Sequence, residues 1–438
     1  MDQNQQETVL RAIALSSGVG NIATISAQDR QTAFRILEDL KAFDGRITVC
    51  ISWLQVERHI LQNLDITVPV KLYAASILET FLQKGYTQLN ENDRLALRNA
   101  VLTASRQVAP LPISDDGRIL GNKLASLLAG LMVRDFPQRW KTFFQDVFSP
   151  IQLGGLWYVE PGDKVHVMGV KICLECLRLI SEDCTDSDFN LKVSHKTRRT
   201  FLVALSILHT QIISKISTTR RNDVLIGLNE VSGQFLPLLF NILEHFTVLQ
   251  QSKLTLHNMR QFLLSGGRNL PQMNQEESRL YGLELERKTQ SGKLVADCLV
   301  TLERFCHAMP LDWILGNSPD FCSAFLHMLR EPVTQIHAVA CLEQLAARKL
   351  DAIQWMRLVS QLPTAVGGAN QAAQLEQEMI QTEQSVGGRV ETTDSLTLQL
   401  SFHRPLSRML AYMISMNVSH VTTDKQMVCD NHELYLFI

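Results

Sequence analysis

The chain has 438 residues, too many for one ordinary compact core and enough for two or three domains or one long repeat array. Hydrophobic residues make up 45% and charged residues 20%, the balance of a folded chain rather than a disordered one. The formal net charge of −2 excludes a global basic field that would draw the molecule to nucleic acid, so any RNA or DNA contact requires a local patch.

The opening Met1–Glu7 is polar and mildly acidic, unlike a secretory or mitochondrial leader. Residues 28–42 then set Ala33, Ile36, Leu37, Leu40 and Ala42 near one helical face, with Gly45 as a stop. Pro69 opens the next helix, whose apolar stripe of Leu72, Ala75, Ile77, Leu78, Phe81 and Leu82 ends at Gly85. Asn90–Asp93 offers N-cap chemistry for a helix through Leu95, Leu97, Val101 and Leu102, stopped at Ala109-Pro110. Leu120–Arg134 follows, is broken by Pro137, and leads into a short aromatic helix with Trp140, Phe143, Phe144 and Phe148. Its longest apolar run, Leu124–Val133, is too short to span a bilayer, so a soluble protein is expected.

Helical segments of similar size continue over 165–182, 194–217, 222–249, 291–308, 318–330 and 332–348, and no alternating β pattern is sustained. Two stretches interrupt them: the polar residues 250–290 and the Gly-, Gln-, Thr- and Glu-rich residues 363–397. The pattern resumes at Pro405–Met416, and the apolar ending Leu434–Ile438 is unlike the polar cap of a solenoid, so a truncated or mis-joined terminus is expected. Together these features predict an all-α chain: a HEAT-repeat-like, right-handed α-solenoid, a superhelix of antiparallel helix pairs, apparently truncated. Its expected divisions are a solenoid over 1–360, a linker over 361–397 and a tail over 398–438.

Residues 69–148 carry a more specific pattern. Ala75-Ser76-Ile77-Leu78-Glu79 is followed by Asn122-Lys123-Leu124-Ala125, then by Asp135-Phe136-Pro137-Gln138-Arg139-Trp140 with Phe143 and Phe144. This resembles the amino-terminal region of exportins in the importin-β superfamily, the exportin-5/HASTY group most and the tRNA exportins second. Leu177–Asp183 with Lys196–Arg199, Leu302–Trp313 and Val333–Arg348 extend the resemblance over roughly residues 5–360, strongest at 69–148. Family members are over twice as long, and residues 365–438 do not match them.

The resemblance implies a nuclear export receptor, or karyopherin. It would bind Ran-GTP through its first helix pairs and carry structured RNA, such as microRNA precursors or tRNA, or protein, past nucleoporins, shuttling between nucleus and cytoplasm as a monomer. It further points, by helix position, to Asp93, Arg94, Arg98 and Arg106 as Ran contacts. Asn122, Lys123, Pro137, Arg139, Trp140 and Phe144 are the structural signature. Lys123 and Arg134 are expected on the polar side of their helix, while Trp140 and Phe144, one turn apart, fill the wedge between paired helices. The alternative is a HEAT-type scaffold that binds only proteins and has lost transport activity.

Other constellations are weaker. Cys173 and Cys176, with Cys184 and His195, have zinc-like spacing, but the first two fall inside an apolar helix where cysteine acts as a small core residue. Nine scattered cysteines suit a reducing compartment. Gly18-Val19-Gly20 and Gly266-Gly267 lack the Gly-Lys-Ser/Thr of a phosphate loop and are read as turns. No nucleophile elbow is present, so neither an enzyme nor a cofactor or metal is expected. The basic clusters Lys196-Thr197-Arg198-Arg199, Arg220-Arg221 and Arg348-Lys349 are read either as solvated helix ends or as a strip contacting RNA phosphates.

Overall fold

The computed structural model describes residues 2–19, 26–110, 114–151, 167–185, 218–231, 239–240, 242–243, 293–306, 311–315, 321–329, 332–348, 350 and 367. These fall into two units, Met1–Leu228 and Asn229–Ile438.

The first unit contains α1 (Gln3–Ser16), α2 (Ala27–Ala42), α3 (Arg46–Gln55), a two-stranded hairpin of β1 (Ile60–Leu61) and β2 (Leu64–Asp65), and α4 (Thr67–Lys84). A 3₁₀ turn at Tyr86–Gln88 then leads to α5 (Glu91–Val108), α6 (Asp115–Asp135), α7 (Phe143–Ile151), α8 (Val167–Thr185) and α9 (Thr218–Glu230). Helix contacts run α1–α4–α6–α8 along one row and α2–α3–α5–α7 along a second, with α1–α2, α3–α4, α5–α6 and α7–α8 joining the rows. This is the all-α, HEAT-like stacking of helices expected from the periodicity. The first-row helices starting at Thr67, Asp115 and Val167 are about 50 residues apart, a little above the HEAT unit of about 40–47 residues.

Local chemistry sets the ends. Asp2 and Ser26 form capping boxes with Gln5 and Asp29, Asn90 Oδ1 accepts the Asp93 N–H and Ser114 Oγ accepts the Gly117 N–H, each satisfying a donor that the first helical turn leaves open. Helix α1 begins with six mostly polar residues and buries only Val9, Ala12, Ile13 and Ala14, too narrow a stripe for periodicity to reveal. Helix α3 buries Val49, Cys50, Trp53 and Leu54 within ten residues, too short a window for a clear period. The hairpin turns at Gln62 and Asn63, both with positive φ, the backbone of a two-residue primed turn.

Helix α6 departs from the one-sided expectation. Every residue from Leu124 to Val133 is buried, because α4 and α5 cover it on two sides and α8 on a third. A helix enclosed in this way needs an apolar surface all round. Its close approaches need small residues. A Cβ on Gly121 would lie 3.1 Å from Met168 Sδ of α8, and one on Gly130 would lie 3.3 Å from Leu82 Cδ1 of α4.

In the second unit, α10 (residues 293–306), a single turn α11 (Leu311–Ile314), α12 (Phe321–Met328) and α13 (Pro332–Ala346) are described. Helix α13 packs on α12, and Cys341 donates to the Leu299 carbonyl of α10 at 3.3 Å. Arg348 Nη1 donates to the Cys306 carbonyl at 3.0 Å, so this cation of the Arg348-Lys349 cluster caps the end of α10.

Candidate functional site at the turn between α6 and α7

The motif Asp135–Trp140 forms a folded turn held from inside. Asp135 ends α6 with its side chain fully buried. Its carbonyl accepts the Arg139 and Trp140 N–H groups at 2.6 and 3.1 Å, and its carboxylate accepts the Tyr86 hydroxyl. Burial and then this bond to the carboxylate hold the Tyr86 phenol well above its usual range. Arg98 of α5 reaches over the turn. It donates to the Arg139 carbonyl at 3.0 Å and to Glu91 Oε1 at 3.1 Å, approaches Asp135 at 3.8 Å and stacks 5.5 Å from the Trp140 ring centroid. Arg94 stacks over Tyr86 at 5.4 Å and donates to the Thr87 carbonyl at 3.2 Å. Charge-assisted donors thus fix a loop whose carbonyls would otherwise lack partners.

The aromatic residues complete the turn. Trp140 precedes α7 rather than lying on it, with its indole edge-to-face on Phe143 at 4.9 Å and its Nε1 donating to Asp146 Oδ2 at 2.7 Å. Phe144 meets Phe136 edge-to-face at 5.7 Å. Both arrangements suit the ring quadrupole and place large apolar area in the core.

Of the four residues picked out on α5, the structure divides two from two. Arg98 is buried against the turn, and Arg94, half-buried, packs on the 3₁₀ turn at Tyr86–Gln88. Asp93 and Arg106 are exposed, Asp93 paired with its own cap residue Asn90 at 2.8 Å and Arg106 with no side-chain partner among the described residues. Half-exposed Leu95 and exposed Asn99 share the Arg106 face of the helix. Beside them a shallow groove of about 360 Å³ runs between α5 and residues 138–146, lined among others by Leu95, Asn99, Arg139, Trp140 and Lys141. Arg139 and Lys141 are exposed on its rim.

The remaining signature residues bind the helices together. Glu79 of α4 is buried, yet Lys123 Nζ lies 2.5 Å from its Oε2 and Ser126 Oγ donates to its Oε1 at 2.8 Å. Lys123 therefore does not simply face water. It joins the "Ile-Leu-Glu" and "Asn-Lys-Leu-Ala" motifs across two helices, a partnership that separation of 44 residues hides from a one-dimensional reading. Arg134 donates to the Gly130 carbonyl at 2.8 Å, Asn122 is exposed, and Pro137 follows the last residues of α6.

Arg220 lies at the start of α9, where its Nε donates to the Val133 carbonyl at 2.8 Å and its Nη atoms donate to the Phe136 carbonyl and Gln138. It satisfies the open carbonyls at the end of α6. Arg221 lies on the same helix, and nothing is described of its side chain. Lys196, Arg198, Arg199, Cys184's side chain and His195 lie outside the described residues. Cys173 and Cys176 are buried free thiols, both raised well above the usual range, by burial first. Among the described residues no group of His, Cys, Asp or Glu could hold a metal ion, and no helix is long and apolar enough to cross a membrane.

Comparison with known proteins meets this same region. Residues 117–202 match the family model described as exportin 1-like protein. The chain carries an exportin 1-like segment. It is also 23% identical over 206 residues to Protein EXPORTIN 1A of Arabidopsis thaliana, covering 46% of this chain and 17% of the relative. With Protein EXPORTIN 1B of the same plant it is 24% identical over 252 residues, covering 53% of this chain and 21% of the relative. These findings support the exportin family. Both relatives are exportin 1 proteins, whereas the sequence motifs resemble the exportin-5/HASTY group most. The chain spans about a fifth of the length of these relatives.

Proposed function

We propose that this chain acts as part of a nuclear export receptor that binds Ran-GTP and cargo. The observation that carries the reading is the exportin 1-like segment at 117–202, set in stacked rows of helices beside an accessible face of α5. On that face Arg106 is exposed beside Leu95 and Asn99, and Arg139 and Lys141 rim the adjoining groove, while Asp93 is exposed on another side of α5. Arg98, held against the turn, and Arg94, stacked on Tyr86, position α5 for that contact. Cargo would be structured RNA of the exportin-5 or tRNA exportin kind, or protein. The receptor would work as a monomer that meets nucleoporins and shuttles between nucleus and cytoplasm.

The test is a pull-down of the folded chain with Ran locked in its GTP or GDP state. Binding to the GTP form, weakened by Arg106→Glu, supports the reading. Equal capture of both forms, or of neither, removes it.

A second reading is a HEAT-type scaffold that binds only proteins, and Arg220 favours it over an RNA-carrying receptor. Its guanidinium is directed to backbone carbonyls instead of a phosphate-facing strip. The discriminating measurement is hairpin-RNA affinity against salt. A steep slope, with several phosphates neutralised, supports RNA carriage, and no affinity at low salt supports the scaffold.

A further inference from the structure

The corner where α3, the hairpin, α4 and α5 meet encloses two bases that the proposed receptor function does not use. Lys71 of α4 is 1% exposed, and among the described residues its ammonium nitrogen has one hydrogen-bond partner, Gln107 Oε1 of α5. Gln107 Nε2 in turn donates to the Gln55 carbonyl at the end of α3, at 3.0 Å. His59, just before β1, is 7% exposed, and its Nε2 lies 2.9 Å from the Trp53 carbonyl. A carbonyl only accepts, so Nε2 carries the proton. The His59 backbone is clamped as well, its N–H donating to Thr67 Oγ1 at 2.9 Å and its carbonyl accepting the Ile66 N–H at 2.9 Å.

Donor arithmetic makes this corner unfavourable to charge. An ammonium has three N–H donors and an imidazolium two, and here each base meets a single acceptor. The surplus donors of the charged forms have no protein acceptor among the described residues, which favours the neutral forms of groups this buried. The charged groups acting on the pair are few. Glu57, after α3, acts on Lys71; Asp65 of β2 acts on His59, and the two bases repel each other. Helix α5 contributes only the uncharged Gln107. Asp65 is exposed and already accepts the Thr67 N–H at 2.9 Å.

We propose that Lys71 and His59 form a proton-operated clamp: the closed corner disfavours their charged forms, so that opening of the hairpin and the end of α3 takes up protons. Burial, the largest cause for each, draws the Lys71 amine down from 10.5 to about 8 and the His59 imidazole below 6.5. A base with a lower pKa when closed opposes closure fully below that closed value, and the opposition fades as pH rises to the open value. Lys71 therefore tightens the corner as pH climbs from about 8 to 10.5. His59 loosens it as pH falls below 6.5. The clamp is a device of this fold and does not depend on the export reading.

The experiment is an NMR titration of the full chain carrying ¹³Cε-labelled lysine, from about pH 6 to about pH 11, spanning both reference values. A Lys71→Arg chain identifies the Lys71 signal. The expected result is one lysine titrating near 8, apart from the others near their ordinary 10.5. In parallel, exchange of the Ile66 amide, corrected for intrinsic rate, should become roughly tenfold rarer per pH unit over the upper window, and flat there in Lys71→Met. Should the variants fail to fold, the wild-type spectrum decides alone, since all lysines titrating together near 10.5 would overturn the clamp.

Discussion

Replacing Asp135 with alanine removes the acceptor of the Tyr86 hydroxyl and the nearby carboxylate that Arg98 approaches at 3.8 Å. Arg98 keeps Glu91 and the Arg139 carbonyl, so the expected loss is about 1–3 kcal/mol, the cost of leaving the buried Tyr86 hydroxyl without its acceptor, read as a lowered urea midpoint. Arg106→Ala, on an exposed side chain, should move that midpoint by no more than about 0.5 kcal/mol. The contrast separates a residue that builds the turn from one that stays accessible on α5. Sequence position alone grouped Asp93, Arg94, Arg98 and Arg106 together, since spacing tells which helix a residue occupies and not what lies opposite. The partners of Arg98 and Lys123 are 41 and 44 residues away. The thiols were legible, because cysteines on an apolar helical run are core residues. Burial drives the Cys50 thiol up to about 12, and Cys173, Cys176, Cys298, Cys306 and Cys341 are buried too. All six should resist alkylation at neutral pH until the chain unfolds, as peptide mapping by mass spectrometry can establish.

At the scale of the element, α9 is held by Arg220 and by the absence of a side chain at Gly227. A Cβ there would stand 2.7 Å from Phe136 Cε1 and 3.1 Å from Pro137 Cγ. Alanine favours a free helix over glycine by about 1 kcal/mol, yet Gly227→Ala is expected to destabilise the docked helix by about 1–3 kcal/mol through overpacking. Lost hydrogen-exchange protection confined to residues 220–228 would register it. Boundaries with chemical punctuation were readable: Gly45 after α2, Gly85 after α4, Asn90 before α5 and Pro137 after α6. Helices α1 and α3 escaped notice because a few small or short-range apolar residues give no clear period. The hairpin escaped because two residues per strand cannot show alternation.

For the molecule as a whole, the two rows of helices in the first unit make one physical claim. Apolar seams between stacked helices fix α5, while its outer face and the α6–α7 turn leave Arg106, Arg139 and Lys141 exposed. The all-α stacking was readable from periodicity. The enclosure of α6 was not, because covering neighbours on three sides come from α4, α5 and α8. The most direct measurement is the affinity of the folded full chain for Ran carrying a non-hydrolysable GTP analogue against Ran-GDP, for wild type, Arg106→Glu and Lys141→Glu. The account expects preference for the GTP form and a loss of roughly tenfold or more in the charge-reversed chains, as for contacts that repel a partner's matching charges. Indifference to the nucleotide, or full affinity in both variants, would contradict it.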